Sequence, residues 1–268
     1  IGQVVKELKI QGQFDNTVIV VMADNGRPFP HSKTRLNDQG IKTPFIIHYP
    51  NIIKNNSISK SLISSIDIAP TILDLANIEI SESFQGKSFV EIIEKPYLKF
   101  RNYVFAEHNW HDYESYQRMV RNDNYLYIRN SRTQFPQEGP LDAINSPTYI
   151  DLKNAEKNNS ISLKQAEIFI SPRPHEELYD MNNDPYQFNN LLLNDNIPDD
   201  FKILQNILDK WILDTGDTLP ENITKDWYLR VQEPFNQSSL LKTEYHGIRG
   251  EMPGASSNAV KINNKGPF

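Results

Sequence analysis

The sequence contains no cysteine. That absence removes disulfides, zinc–thiolate sites and thiol nucleophiles together. Long hydrophobic runs are lacking too. No stretch approaches the ~20 apolar residues that a membrane-crossing helix needs, and mean hydropathy is −0.57. Positive charge is not in excess: 28 Lys and Arg face 34 Asp and Glu, a net charge of −6. A general nucleic-acid binder needs a basic surface, so nucleic acid is not an expected partner. An anionic substrate stays open, because a cleft can be locally cationic on an acidic protein. There is no initiator Met, no signal-peptide pattern and no internal repeat.

What is present is 268 residues, enough for one or two domains. Ile1, Val4, Val5 and Leu8 share one face at helical spacing, with Gly12 as C-cap. A chain that opens inside a helix is expected to belong to something longer. "TVIVVMA" (Thr17 to Ala23) is a β-branched run expected as a strand buried on both faces of a parallel sheet. "PFIIHYP" (Pro44 to Pro50) is a second strand. "SSIDIAPTILDLANI" (Ser64 to Ile78) reads as a helix with Asp67 as N-cap and Pro70 in its first turn. This order is α/β. The texture changes near residue 100. "YVFAEH", "YQRMVRN" and "NYLYIRN" alternate as strands, with "RNDN" as a hairpin turn. "EELYDM" is another strand, and "FKILQNILDKWILDTGD" is an amphipathic helix ending near Gly216. Residues 132–171 read as a long polar insertion or loop. The tail 232–268 is rich in Asn, Ser, Gly and Pro. Asn55, Asn158, Asn222 and Asn236 head Asn-x-Ser/Thr acceptor sites.

The chemistry concentrates in "ADNGRPFPHSKTRLNDQGIKTPF" (Ala23 to Phe45). In open α/β sheets ligands bind beyond the carboxyl ends of strands. Asp24 and Asn25 stand there and offer two hard oxygens, which suits Ca²⁺ or Mg²⁺. Two ligands leave a six-to-eight-coordinate site incomplete. Lys33 follows as a compact cation able to grip an anionic oxygen. The same Asp-Asn-Gly is also a common turn. Further along, "AEHNWHDY" carries His108 and His111 beside Trp110. Imidazole can hydrogen-bond sugar hydroxyls and an indole can stack on a ring; the plainer alternative is a core tryptophan with solvated histidines.

"ADNG", "HSKT" and "QGIKTPFIIHYP" resemble the second metal-binding motif of the formylglycine-dependent sulfatases. The preceding "IGQVVKELKIQGQFDNTVIVV" and the later "SSIDIAPTILDLANI", "QGKSF" (Gln85 to Phe89) and "EELYDMNNDPYQFNNL" (Glu176 to Leu191) are similar to the family's successive elements. "RPFP" and "FAEHNWHDYESYQRMVRNDNYLYIRN" resemble the branch near heparan N-sulfatase (sulfamidase). The resemblance implies an alkaline-phosphatase-like fold. Residues 1–100 would be the C-terminal part of the catalytic α/β domain, and residues 101–268 a smaller α+β subdomain with an antiparallel sheet. It implies Asp24 and Asn25 as ligands of one Ca²⁺. It implies Lys33 as the group that binds a sulfate oxygen and stabilises the transition state. It implies His108 and His111 as substrate contacts and a sulfated carbohydrate as substrate; His31, two residues before Lys33, either lines the sulfate pocket or caps a turn. Hydrolysis of a sulfate ester or sulfamate in a periplasmic, extracellular or lysosomal-type setting is the implied activity.

The family's nucleophile, a formylglycine made from Cys or Ser in C/S-x-P-x-R, has no counterpart here. "ISPRP" (Ile170 to Pro174) lacks the spacer between Ser171 and Pro172. The paired upstream acids are also absent; only Glu7 and Asp15 precede Asp24. The expectation is a C-terminal half that is inactive alone and needs its N-terminal half, with long apolar strand edges exposed without it. Two alternatives stay open: a phosphoester or phosphonate hydrolase of the same superfamily, and a non-catalytic glycan- or metal-binding module.

Overall fold

The computed structural model describes residues 1–53, 57–111, 114–137 and 139–219, without the side chains of residues 110 and 114. The tail and the acceptor sites at Asn55, Asn222 and Asn236 lie outside the described residues. The chain divides into two compact units: residues 1–24 with 43–102, and residues 25–42 with 103 onward. The segment 25–42, expected with the catalytic domain, therefore clusters with the second unit.

In the first unit, helix α1 (Gly2–Ile10) is followed by Gly12 at φ 67°. Its expected apolar face is largely exposed: Ile1 is 78% and Val4 62% accessible. Strand β1 (Ile19–Met22) pairs with β2 (Phe45–His48), Ile19 opposite His48 and Met22 opposite Phe45. The pairing is antiparallel, which corrects the parallel expectation. The expected burial on both faces is not seen either, since no residue of β1 is fully buried and Met22 is 45% exposed; a β-branched run is silent on strand direction. Alternation on β2 sends Phe45 and Ile47 into a core with Phe89, Ile92 and Ile93, while Ile46 stays 61% exposed. Helices α3 (Ile68–Leu75) and α4 (Val90–Glu94) complete this unit.

Asp67 stands at the N-cap position of α3, as expected, but its side chain makes no capping bond to that helix. Ser64 opens a single 3₁₀ turn with a capping box, and its N–H donates to Asp67 Oδ2 at 2.8 Å. The fully buried Asp67 carboxylate also accepts from Lys87 N–H at 2.9 Å and from the Arg101 guanidinium, whose Nε lies 2.8 Å away. Thr71 Oγ1, which donates to the Asp67 carbonyl at 2.6 Å, accepts from Phe89 N–H at 3.0 Å. A Cβ on Gly86 would sit 2.0 Å from the Ile66 carbonyl oxygen. The "SSIDIAPT" and "QGKSF" stretches are thus two halves of one hydrogen-bonded joint.

The second unit is built on an antiparallel sheet in the order β3 (Val104–Trp110), β4 (Glu114–Arg121), β5 (Tyr125–Asn130), β6 (Glu176–Asp180). The "RNDN" turn joins β4 to β5, with Asn122 Oδ1 accepting from Asn124 and Tyr125 N–H. Side chains alternate between faces. Val120, Tyr127 and Leu178 stand in register on one face, covered by Phe201, Leu204 and Leu208 of helix α8 (Asp200–Thr215). Gly216 ends α8 in the left-handed conformation. Met119, Leu126, Ile128 and Tyr179 line the other face, where Leu36 from segment 25–42 packs. Residues 132–171 are not a structureless loop. They form helices α5 (Leu141–Ile144), α6 (Pro147–Lys157) and α7 (Leu163–Ala166). Ser146 and Ser162 cap the latter two through side-chain oxygens. Weak periodicity hid them because two are single turns.

Candidate active site

Asp24 and Asn25 follow β1, and both are exposed. The Asn25 amide nitrogen donates to the Gly26 carbonyl at 2.7 Å. Gly26 N–H donates to the Gly40 carbonyl at 2.8 Å and so closes the loop 26–40 at its base. A Cβ on Gly26 would fall 2.3 Å from the Gln39 carbonyl oxygen, so no larger residue fits this closure.

The loop is held from several sides. Leu36 lies in the sheet's core. Asn37 caps the short helix α2 (Asp38–Ile41) by accepting from Gly40 N–H at 3.2 Å. Asp38 pairs with Arg121, and its N–H donates to Gln187 Oε1 at 2.9 Å. Arg35 is buried and donates to Gln137 Oε1 at 2.6 Å and Glu167 Oε1 at 3.0 Å. His31 and Thr34 sit at φ 61° and 68°. A β-branched residue is strained there, and surrounding contacts must hold it. The two left-handed residues flank Lys33 and fix the direction it takes.

Lys33 Nζ donates to Asp142 Oδ2 of α5 at 2.7 Å. His31 Nδ1 lies 2.9 Å from Glu167 Oε2, in the turn after α7. The cap fixes the Asn37 amide with its oxygen on Gly40, so its nitrogen donates to His31 Nε2 at 2.8 Å. That places the proton of the neutral ring on Nδ1, toward Glu167. The Tyr186 carbonyl stands 3.1 Å from the same Nε2. The ring stacks on Phe188 with centroids 4.7 Å apart.

Burial works against charge on Glu167. The Arg35 guanidinium and the His31 hydrogen bond outweigh it and hold the carboxyl at about 2. A folded value below the unfolded one contributes stability above about pH 4.5, lost as pH falls toward 2. Glu167→Gln is therefore expected to melt below the wild type at neutral pH, with the gap closing between about pH 4.5 and 2. A gap constant across that range would contradict the coupling.

His108 is buried on edge strand β3, opposite Gln117, just before a bulge between His108 and Trp110. His111 is half-buried beyond that strand. Glu107 has its carboxyl raised by burial, against the opposing pull of Arg118, with Asp217 adding to the rise. Ser171 and Arg173 are structural: Ser171 Oγ donates to the Gln134 carbonyl at 2.8 Å, and the buried Arg173 donates to Gln137 Oε1 at 3.0 Å. The structure thus brings His31 and Lys33 onto one loop tied to α5 and the turn after α7. His108 and His111 belong to the β3 end. Asp142, Glu167 and Arg35 went unrecognised in the sequence, because no spacing joins residue 33 to 142 or 31 to 167.

A family model described as "N-sulphoglucosamine sulphohydrolase, C-terminal" matches residues 31–138, starting in this loop. An ulvan-active sulfatase of Formosa agariphila is 33% identical over 236 residues, covering 85% of this chain and 39% of that protein. The chain belongs to the sulfatase family. The human N-sulphoglucosamine sulphohydrolase is 27% identical, with 81% of this chain and 45% of that protein covered. A solved structure of a protein in complex with its substrate D-glucosamine-2-N,6-O-disulfate matches with a TM-score of 0.58 at 22% identity. It covers 79% of this chain and 37% of that one, and it shows the alkaline-phosphatase-like fold. This sulfatase chain spans about two-fifths of the length of the curated relatives it matches. Asp24 and Asn25 are, in kind, the oxygen donors that calcium takes. In number they fall short: no group of three or more His, Asp or Glu able to hold a metal is gathered among the described residues.

Proposed function

We propose that this chain is the C-terminal portion of a sulfatase that hydrolyses a sulfate ester or sulfamate on a sulfated glycan. The observation that carries this reading is the braced loop, which follows Asp24 and Asn25 and presents Lys33 between two residues of left-handed backbone. Lys33 would bind a sulfate oxygen and stabilise the negative charge on the sulfuryl group as the sugar's oxygen or nitrogen leaves sulfur. To do so its ammonium, which has three donors, would share or exchange its contact with Asp142. His108 and His111 would hydrogen-bond the sugar, and His31 would hold the loop and border the pocket. Asp24 and Asn25 would supply two oxygens to Ca²⁺; when bound, that ion adds positive charge for the sulfate. The remaining ligands and the formylglycine nucleophile would come from a preceding segment of the full protein. The exposed apolar residues of α1 and of the β1–β2 pair fit a surface that this segment covers.

Titration calorimetry of the 268-residue chain with calcium tests the split site. Weak or absent binding is expected for the chain alone. Tight binding is expected in the full-length protein, lost in its Asp24→Ala variant. Tight, Asp24-dependent binding by the chain alone would overturn the split-site reading. For the activity, the full-length protein is expected to release sulfate from a sulfated glycan. Cleavage of phosphonate or phosphate esters with sulfate esters untouched would assign it to the other branch of chemistry. No helix among the described residues is long and apolar enough to cross a membrane.

A further inference from the structure

Asp142 stands 2.7 Å from Lys33 Nζ and is half-exposed, on an element that the linear sequence does not associate with the loop. Resting on Lys33 as the sulfate-binding cation, we infer that Asp142 is a specificity-determining residue. It selects substrates with a hydroxyl next to the reacting sulfate and rejects those with a second sulfate at that position. The argument is geometric. An ammonium donates along tetrahedral directions, so two acceptors on one Nζ, each about 2.8 Å away, lie roughly 4–5 Å apart. In the inferred pose a sulfate oxygen accepts a second N–H of Lys33 and the sugar carbon bearing that sulfate lies on the Asp142 side, so that the substituent on the neighbouring carbon faces Asp142. An ionised carboxylate only accepts hydrogen bonds. A hydroxyl there donates to it, in a charge-assisted bond of the stronger class. A second sulfate there meets a like charge within a few ångströms and can donate nothing. A cation-lined pocket alone would prefer the more anionic ligand; Asp142 reverses that preference, which is discrimination by an unfavourable element.

The competing role for Asp142 is to position Lys33 and nothing more. The two roles separate in a ratio of affinities. The full-length protein would be titrated with a methyl hexoside carrying one sulfate beside a free hydroxyl, and with the same sugar sulfated at both neighbouring positions. Wild type is expected to bind the monosulfate at least ten-fold more tightly than the disulfate. Asp142→Asn removes the charge and adds a donor while keeping the shape, so its ratio is expected to fall to near one or to invert. Asp142→Glu is expected to restore the wild-type preference in part. Lys33→Ala is measured alongside. If Lys33→Ala weakens both ligands but Asp142→Asn weakens both equally, Asp142 only positions Lys33 and the inference is overturned. If Lys33→Ala changes neither affinity, the reading of Lys33 as the sulfate site fails, and the inference falls with it.

Discussion

Asp67→Ala is expected to destabilise the first unit by about 3–5 kcal/mol, the scale for removing one partner of a buried ion pair. The substitution removes a carboxylate with no exposure to water, whose partner Arg101 is 2% exposed. The buried guanidinium would lose this carboxylate, and two backbone N–H groups, of Ser64 and Lys87, would lose it as an acceptor. Each unsatisfied buried donor adds about 1–3 kcal/mol of desolvation cost, although these terms overlap with the first and do not simply add. Because Asp67 serves backbone donors as well as Arg101, replacing both Asp67 and Arg101 by leucine is not expected to recover the loss. That distinguishes this site from an isolated ion pair, where apolar replacement is often neutral. Urea unfolding of wild type, Asp67→Ala and the double variant checks both statements. A loss under about 1 kcal/mol would mean that water reaches the joint and screens the pair.

The same joint shows what the sequence could and could not disclose. Ser64, Asp67 and Pro70 were read together as a helix start, and a helix does start there. Local spacing places Asp67 at the N-cap position but does not show what its carboxylate does there, because Lys87 and Arg101 reach it from 20 and 34 residues downstream. The strands of the second unit were legible from alternation. That α8 covers one face and Leu36 the other was not, since a period of two marks faces without naming what lies on them. "EELYDMNNDPYQFNNL" was legible as a signature, and its physical basis is now plain. Asn190 Oδ1 accepts from Leu178 N–H at 3.0 Å and Leu192 N–H at 3.1 Å, tying the end of the motif back to β6. His48, inside "PFIIHYP", packs its ring on Phe14, and its buried Nε2 finds no hydrogen-bond partner among the described residues. Within the candidate site, the loop and its cation were visible because Asp-Asn-Gly and Lys33 are adjacent in sequence. Their supports come from residues 121, 137, 142, 167 and 187, and long-range pairing of that kind leaves no linear trace.

Lys33→Ala in the full-length protein is expected to lower turnover of a sulfated glycan by about 10²–10³, the loss typical of removing one group aimed at developing charge. Folding is expected to change little. The pair with Asp142 is partly exposed, with side-chain accessibilities of 21% and 46%, and such pairs contribute about 0–1 kcal/mol. Asp142 would also be left able to solvate itself. The loop would not collapse either, because Leu36, Arg35, Asn37 and Asp38 hold it independently of Lys33. Lys33→Arg keeps the charge but replaces a compact ammonium by a longer planar fork, so partial activity is expected with an altered dependence on substrate. The informative comparison is between turnover and melting temperature across Ala, Gln and Arg at this position. Turnover that follows charge while the melting temperature stays fixed assigns Lys33 to the chemistry. Turnover and melting temperature that fall together would make Lys33 a strut of the loop, with its contact to Asp142 as its whole purpose.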